Sequence, residues 1–327
     1  HLLPIPHTGR ERSTILDAGD VLPALWDVGV DIVVTAHRHF PNIFRLSNGR
    51  RRLLLINSGT FSSYKTRGKA GHTWVEIDIA AKKRIDIKFH GLNPYSIFQE
   101  PTNIQYPLEK GDIPVKEIQE PSEKDLIAKV IQISDTHFTP GGDFQQEVYD
   151  RAIKMILAEN PSVIVHCGDL TNDAYPEDYA IAKMKLGKLR KQFNIPIILV
   201  PGTRDLQPYG KELWIKEIGP LDPLHRGELI QIFGVNTGPE PNGHIGRSRL
   251  KILKEEVLEH NKDKIIVVLM HHSLLPVPRA FFKRTVKDAG DAIDFLTRNK
   301  VQLVLSGLEH YATSLQVRGT VFINCGT

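Results

Sequence analysis

Val163-Ile164-Val165-His166-Cys167-Gly168-Asp169-Leu170-Thr171-Asn172 passes from an apolar, β-branched run into a glycine and a carboxylate. A short apolar run bounded in this way reads as a buried strand. The glycine after it lets backbone come close to whatever lies beyond the strand end. Four more apolar runs close in a similar manner. Residues 129–134 lead into Asp135 and His137, and residues 195–200 into Gly202-Thr203-Arg204-Asp205. Residues 265–270 lead into His271 and His272, and residues 301–305 into Gly307-Leu308-Glu309-His310. Residues 145–158 have helical spacing, with Val148, Ala152, Ile153, Ile156 and Leu157 on one face. Further helices are predicted over 178–193, 209–218, 248–260 and 289–299. Further strands are predicted over 229–235, 313–317 and 321–324, the last two as a hairpin around Arg318-Gly319. Strands alternating with helices predict an α/β fold. In such sheets ligands bind beyond the carboxyl ends of the strands, where these Asp and His residues fall.

The composition leaves room for this reading and closes off others. A chain of 327 residues has length for about two domains. With 41% hydrophobic and 24% charged residues it is neither disordered, collagen-like nor a coiled coil. The net charge of +4 is small and scattered, which argues against nucleic acid as a partner. Two cysteines, Cys167 and Cys325, rule out a disulfide scaffold and a Cys-rich zinc module. No apolar run approaches the roughly 18–20 residues of a membrane span, so no membrane partner is expected. With no visible signal segment, the default location is cytoplasmic. Self-association is left open.

The chain repeats itself. Leu2-Leu3-Pro4-Ile5-Pro6 returns as Leu274-Leu275-Pro276-Val277-Pro278, and Asp17-Ala18-Gly19-Asp20 as Asp288-Ala289-Gly290-Asp291. The block running from Ile32 to Phe40 returns from Leu303 to Tyr311, and that from Ile56 to Thr60 returns from Ile323 to Thr327. Four blocks recur in one order. Residues 72–79 and 84–89 read as two alternating strands that the second copy lacks. Either they complete the second copy or the sequence is cut from a longer tandem protein, and the latter is the reading favoured here. The expected organisation is residues 1–90 as the C-terminal half of a first domain and 91–124 as a proline-rich connector. Residues 125–327 then form a second domain lacking its last strands. Regularly spaced Pro94, Pro101, Pro107, Pro114 and Pro121 predict an extended connector.

Mixed Asp and His sets without cysteine suit Mn, Fe, Zn or Ni rather than Ca. The series Asp135-Thr136-His137, Gly168-Asp169, Gly202-Thr203-Arg204-Asp205, His271 and Gly307-Leu308-Glu309-His310 resembles the calcineurin-like metallophosphoesterases. The family pattern is D-x-H, G-D, G-N-H-D, H and G-H-x-H. Gly168-Asp169-Leu170-Thr171-Asn172 looks most like its cyclic-nucleotide-phosphodiesterase-like members. The resemblance implies a two-layer β-sandwich flanked by helices, around a di-metal site that activates water against a phosphate ester. Carried over, Asp135, His137, Asp169 and His310 hold one metal, and Asp169 bridges to a second that also uses His271.

Three positions depart from the pattern. Thr203 stands where the family has a ligating Asn, Arg204 where it has His, and Leu308 where it has the first His of G-H-x-H. Threonine is a poorer ligand than an amide. Arginine can clamp phosphate through two bonds but cannot give up a proton. The expectation is one tight transition-metal site and a weak or absent second. Asp169 and Arg204 are the residues expected to act on substrate. Glu309 should point away, by alternation. The first copy keeps His37 and His39 as candidate ligands, and Arg10 and Arg12 as candidate phosphate contacts. Of the rest, Cys167 and His166 are expected to be packed, while His272 is either packed or in contact with substrate. Lys183, Lys185, Lys188, Arg190 and Lys191 are expected to form a solvated helix face. The expected activity is hydrolysis of phosphate mono- or diesters, weakened in the second copy. The alternative is a catalytically inactive scaffold or assembly protein. A nuclease is disfavoured by the near-neutral charge.

Overall fold

The apolar runs become strands and the periodic segments become helices, in a computed structural model that describes residues 1–6, 14–37, 40–58, 73–80, 84–91, 102–107, 126–141, 144–258, 263–279 and 285–326. The N-terminal elements are α1 (Ala18–Asp27), β1 (Ile32–Thr35), β2 (Asn42–Ser47), β3 (Arg52–Asn57), β4 (Thr73–Ala80), β5 (Arg84–Gly91) and β6 (Thr102–Pro107). Then come β7 (Val130–Ile133), α2 (Gln146–Ala158), β8 (Val163–His166), α3 (Pro176–Phe193), β9 (Ile197–Leu199) and α4 (Gly210–Glu217). The chain continues through β10 (Leu224–Arg226), β11 (Ile230–Val235), α5 (Arg247–Ile252), a π-helical turn at Leu253–Leu258 and β12 (Ile265–Met270). It closes with α6 (Ala289–Arg298), β13 (Leu303–Ser306), β14 (Thr313–Val317) and β15 (Thr320–Asn324).

Nine strands make one sheet in the order β1-β3-β2-β14-β15-β13-β12-β11-β10. Opposite it lie two smaller sheets, parallel β7-β8-β9 and antiparallel β4-β5-β6. Alternation along the strands builds the layers. From β12, Val267 and Leu269 face Val163, Val165 and Cys167 of the β7–β9 sheet, while Ile266, Val268 and Met270 face the helices. From β3, Leu54 and Ile56 face Ile85, Ile87 and Phe89 of β5, while Leu53 and Leu55 turn to the helix side. Strands buried on both faces read as unbroken apolar runs, and these do. Helices α1 and α6 cover the large sheet with Leu22, Trp26, Ile293 and Leu296. Helices α3 and α4 close the outer face of β7–β9 with Tyr179, Leu186, Leu189 and Trp214. The result is a mixed α/β sandwich flanked by helices, as the sequence pattern predicts.

Two stretches of the large sheet are wired alike. β1 runs parallel to β3 and β2 antiparallel to it, just as β13 runs parallel to β15 and β14 antiparallel to it. The Thr35 hydroxyl donates to Asn57 Oδ1 at 3.1 Å, and the Ser306 hydroxyl to Asn324 Oδ1 at 3.1 Å. Each asparagine amide then donates to a carbonyl beyond its strand, Phe40 in one case and Tyr311 in the other. The halves join where β2 meets β14 antiparallel, with Leu46 opposite Val317. Arg318 ties the seam, donating from Nε to the Ile43 carbonyl at 3.0 Å and from Nη1 to Asp294 at 2.9 Å.

Three local expectations change. Thr102–Pro107, inside the stretch read as connector, is strand β6. Pro107 stands at the end of this edge strand, where a missing ladder donor is tolerated. The helix expected over 248–260 is α-helical only to Ile252 and then widens into the π-helical turn. Strand β10, with three residues, is too short to give a periodic signal. Among the described residues β4–β6 pair only with one another, and their core faces β2 and β3.

Candidate metal centre

Loops from β7, β8, β9, β12 and β13 meet at one rim because their backbones pack without side chains between them. A Cβ on Gly168 would lie 2.6 Å from His271 Nδ1 and 2.8 Å from Gly202 Cα. A Cβ on Gly202 would lie 2.2 Å from the Asp169 backbone nitrogen. Four site residues hold left-handed backbone: Asp135 (φ 54), His137 (φ 45), Asp169 (φ 52) and His310 (φ 52). Such conformations cost of order 1–3 kcal/mol each and persist only where surrounding structure fixes them.

Asp205 does much of that fixing. Its buried carboxylate accepts the N–H groups of Gly202 at 2.8 Å, Leu170 at 3.0 Å and Thr171 at 2.7 Å, and the Thr171 hydroxyl at 2.8 Å. Burial, and then the charge of Asp169, push its pKa up to about 6 despite these donors. His166 is a second brace. Its Nδ1 accepts the Gly168 N–H at 3.2 Å, so Nε2 donates to the Thr136 hydroxyl at 3.1 Å, which in turn donates to the Leu170 carbonyl at 3.2 Å. Burial lowers its pKa to about 4, leaving a neutral ring. His166 is packed, as the sequence suggests. Asp205, the last letter of the third motif, is a brace that its position in the sequence does not announce.

The candidate ligands converge in two groups. Asp135, His137 and His310 form one and Asp135, Asp169 and His271 the other, each with its ligand atoms within 4.8 Å of one another. His271 Nδ1 donates to the Cys167 carbonyl at 2.8 Å, which leaves a bare Nε2 facing Asp169 Oδ1 at 3.3 Å. His310 Nε2 lies 3.4 Å from Asp135 Oδ1. Burial works against the Asp135 carboxylate, but the neighbouring His310 and His271 and the Ser134 hydroxyl hold its pKa down at about 2. Burial pushes that of Asp169 up. Asp135 Oδ1, His137 Nδ1 and His271 Nε2 are buried with no hydrogen-bond partner. Buried polar atoms are rarely left so, and lone pairs of two imidazoles and a carboxylate suit a divalent transition metal. Asp135 belongs to both groups and Asp169 to the second. Asp169 Oδ1 is turned toward His271 by the Arg204 N–H, which donates to it at 2.8 Å.

The departures from the pattern have visible consequences. The Thr203 hydroxyl lies 3.4 Å from His272 Nε2, whose Nδ1 is 2.6 Å from the Thr237 hydroxyl. His272 is fully buried, and burial drives its pKa to about 3, so it is packed and presents nothing to solvent. Arg204 is exposed, with Nη1 3.5 Å from Asp173. Leu308 contributes its backbone: its N–H donates to Asp135 Oδ2 at 3.2 Å. Cys167 is packed in the core, and burial keeps both its thiol and that of Cys325 protonated. Lys185 does not share the solvated face expected for its helix: it is buried, with Nζ 5.3 Å from the Phe144 ring centre and 5.0 Å from that of Tyr149. His37 is exposed and joins no such cluster among the described residues, its ring centre 6.4 Å from that of His1. His39, Arg10 and Arg12 lie outside the described residues.

The arrangement defines a class. The calcineurin-like phosphoesterase family matches residues 128–311, more than half of the chain, and the chain belongs to that family. The family is one of enzymes that use divalent metal ions. The 3',5'-cyclic adenosine monophosphate phosphodiesterase of Haemophilus influenzae is 28% identical over 216 residues, spanning 61% of this chain and 75% of that protein. A probable glycerophosphodiester phosphodiesterase of Arcobacter nitrofigilis is 24% identical over 157 residues, 44% of this chain and 56% of its own length. Among solved structures, a dimetal phosphatase from Danio rerio shares the fold, with a TM-score of 0.50 at 11% identity over 62% of this chain and 88% of that one. No described helix is long and apolar enough to cross a membrane.

Proposed function

We propose that the chain hydrolyses phosphate mono- or diesters at a metal centre built by Asp135, His137, Asp169, His271 and His310. The observation that carries this is the set of buried ligand atoms on Asp135, His137 and His271 that make no hydrogen bond, gathered in two overlapping groups. Relatives that act on cyclic nucleotides and on glycerophosphodiesters support a diester substrate. A divalent metal held here would supply Lewis acidity and a water acidified enough to act as nucleophile. Arg204, exposed beside Asp169, is the phosphate clamp, and its guanidinium matches two phosphate oxygens. It offers no proton to the leaving group, and His272 is buried and neutral. Esters with good leaving groups are therefore turned over best.

In this reading residues 1–90 are the C-terminal half of a first unit, 91–124 a connector broken by strand β6, and 125–327 a second unit. The recurring sequence blocks and the matched bonds of Thr35–Asn57 and Ser306–Asn324 support it. One tight metal site and a weaker second follow from Thr203 and Leu308. The same substitutions favour the second reading, an inactive scaffold. The free cysteines Cys167 and Cys325 support a cytoplasmic location. Turnover of bis-(p-nitrophenyl) phosphate with added Mn, removed by Asp169→Ala, decides between the readings. Metal bound without turnover leaves the scaffold.

A further inference from the structure

Helix α1 lies outside the family-matched residues, yet it packs against the strap that leaves the metal centre at His271. At Gly19 the two backbones touch: a Cβ there would stand 2.2 Å from the Val277 carbonyl oxygen and 2.8 Å from the Pro278 nitrogen. One residue on, the Asp20 carboxylate accepts the Arg279 N–H, with its oxygens at 3.1 and 3.3 Å. Leu22 and Trp26 share the core cluster of Leu274 and Leu275. A cavity of only about 50 Å³ is left between helix and strap. The strap starts at the centre and ends near it. At the start, His271 donates to the Cys167 carbonyl. At the far end Arg279, held at φ 61, places its guanidinium 5.8 Å from the centre of the Tyr311 ring, next to His310.

We infer that helix α1 is a positioning element for the metal centre: through Gly19 and Asp20 it holds residues 274–279, and with them His271 and the Tyr311-His310 corner, in the geometry that grips the ion. The inference rests on the metal-centre reading above. A loop that carries a ligand must be held by groups behind it; groups bonded directly to a ligand matter about 10–100-fold in metal affinity, and support one segment further out is expected at the low end of that range. The molecule contains its own control. α6 makes the reciprocal contact, where a Cβ on Gly290 would lie 2.2 Å from the Ile5 carbonyl oxygen and 2.9 Å from the Pro6 nitrogen. That contact bears on the N-terminal strap, which leads into no ligand cluster among the described residues.

The test is titration of the full chain with Mn, read by the EPR signal of the free ion, with folding checked by circular dichroism. Asp20→Ala should weaken Mn binding about tenfold at unchanged stoichiometry. Asp20→Asn, which keeps an acceptor for the Arg279 N–H, should stay within about twofold of the parent. Gly19→Ala should weaken Mn at least as much as Asp20→Ala, whereas Gly290→Ala should lower the melting temperature and leave Mn affinity alone. A folded Asp20→Ala that binds Mn like the parent overturns the inference, as does Gly290→Ala weakening Mn as much as Gly19→Ala. If Gly19→Ala does not fold, the Asp20 pair decides. A parent chain that binds no Mn overturns the metal-centre reading itself, and the inference falls with it.

Discussion

β1–β3 and β13–β15 share pairing directions, a Thr/Ser–Asn bond and an asparagine-to-carbonyl bond, yet only the second set stands beside a ligand cluster among the described residues. The reason lies in what faces each. β13–β15 continue into β12 and β11, and parallel β7–β9 lie opposite, so the ends of β7, β8 and β12 deliver Asp135, His137, Asp169 and His271. β13 itself leads only to His310. Opposite β2 and β3 lies antiparallel β4–β6, whose described residues join no ligand cluster. The repeated strands are thus a platform, and most of the candidate ligands come from the parallel sheet laid over one half of it.

The sharpest way to break that comparison is Asp135→Ala. Asp135 belongs to both ligand groups, so the variant should lose Mn by about 100-fold or more while β1–β3 stay intact. Equilibrium titration checks it. Next in size is Asp205→Ala, which strands the donors of Gly202, Leu170 and Thr171. It should cost about 2 kcal/mol in urea unfolding and loosen metal binding as well. Arg204→Ala should raise KM for a phosphate diester roughly tenfold and leave Mn affinity unchanged, because the side chain is exposed and touches no ligand group. The smallest effects compare the halves directly. Asn57→Ala and Asn324→Ala should each cost about 1 kcal/mol. Only Asn324→Ala, whose amide holds the Tyr311 carbonyl beside His310, should also change Mn affinity. Equal behaviour of the two asparagines would mean that the platform does not feel the site.

Much of this was legible in the sequence because strands buried on both faces leave unbroken apolar runs, and the polar residue after each run marks its end. That rule placed Asp135, His137, Asp169, His271 and His310 at one rim. It did not reveal how the Asp169 carboxylate is oriented. That is set by backbone contacts: the approach of Gly202 to Asp169 and the Arg204 N–H turn Asp169 Oδ1 toward His271. Nor did it reveal that Lys185, one of five cations on its helix, sets its ammonium over the rings of Phe144 and Tyr149, since a cation on a helix reads the same whether it meets water or an aromatic face. β6 was masked by its flanking prolines, and Asp205 by the fact that a carboxylate serving only backbone donors carries no mark of its own.

The central claim is that the rim of β7, β8, β12 and β13 grips a divalent cation. Crystals of the full chain grown with Mn and measured at the Mn absorption edge test it most directly. An anomalous peak in contact with Asp135, His137 and His310 is the predicted result. A map with no peak there, or with its only peak elsewhere on the chain, would contradict it.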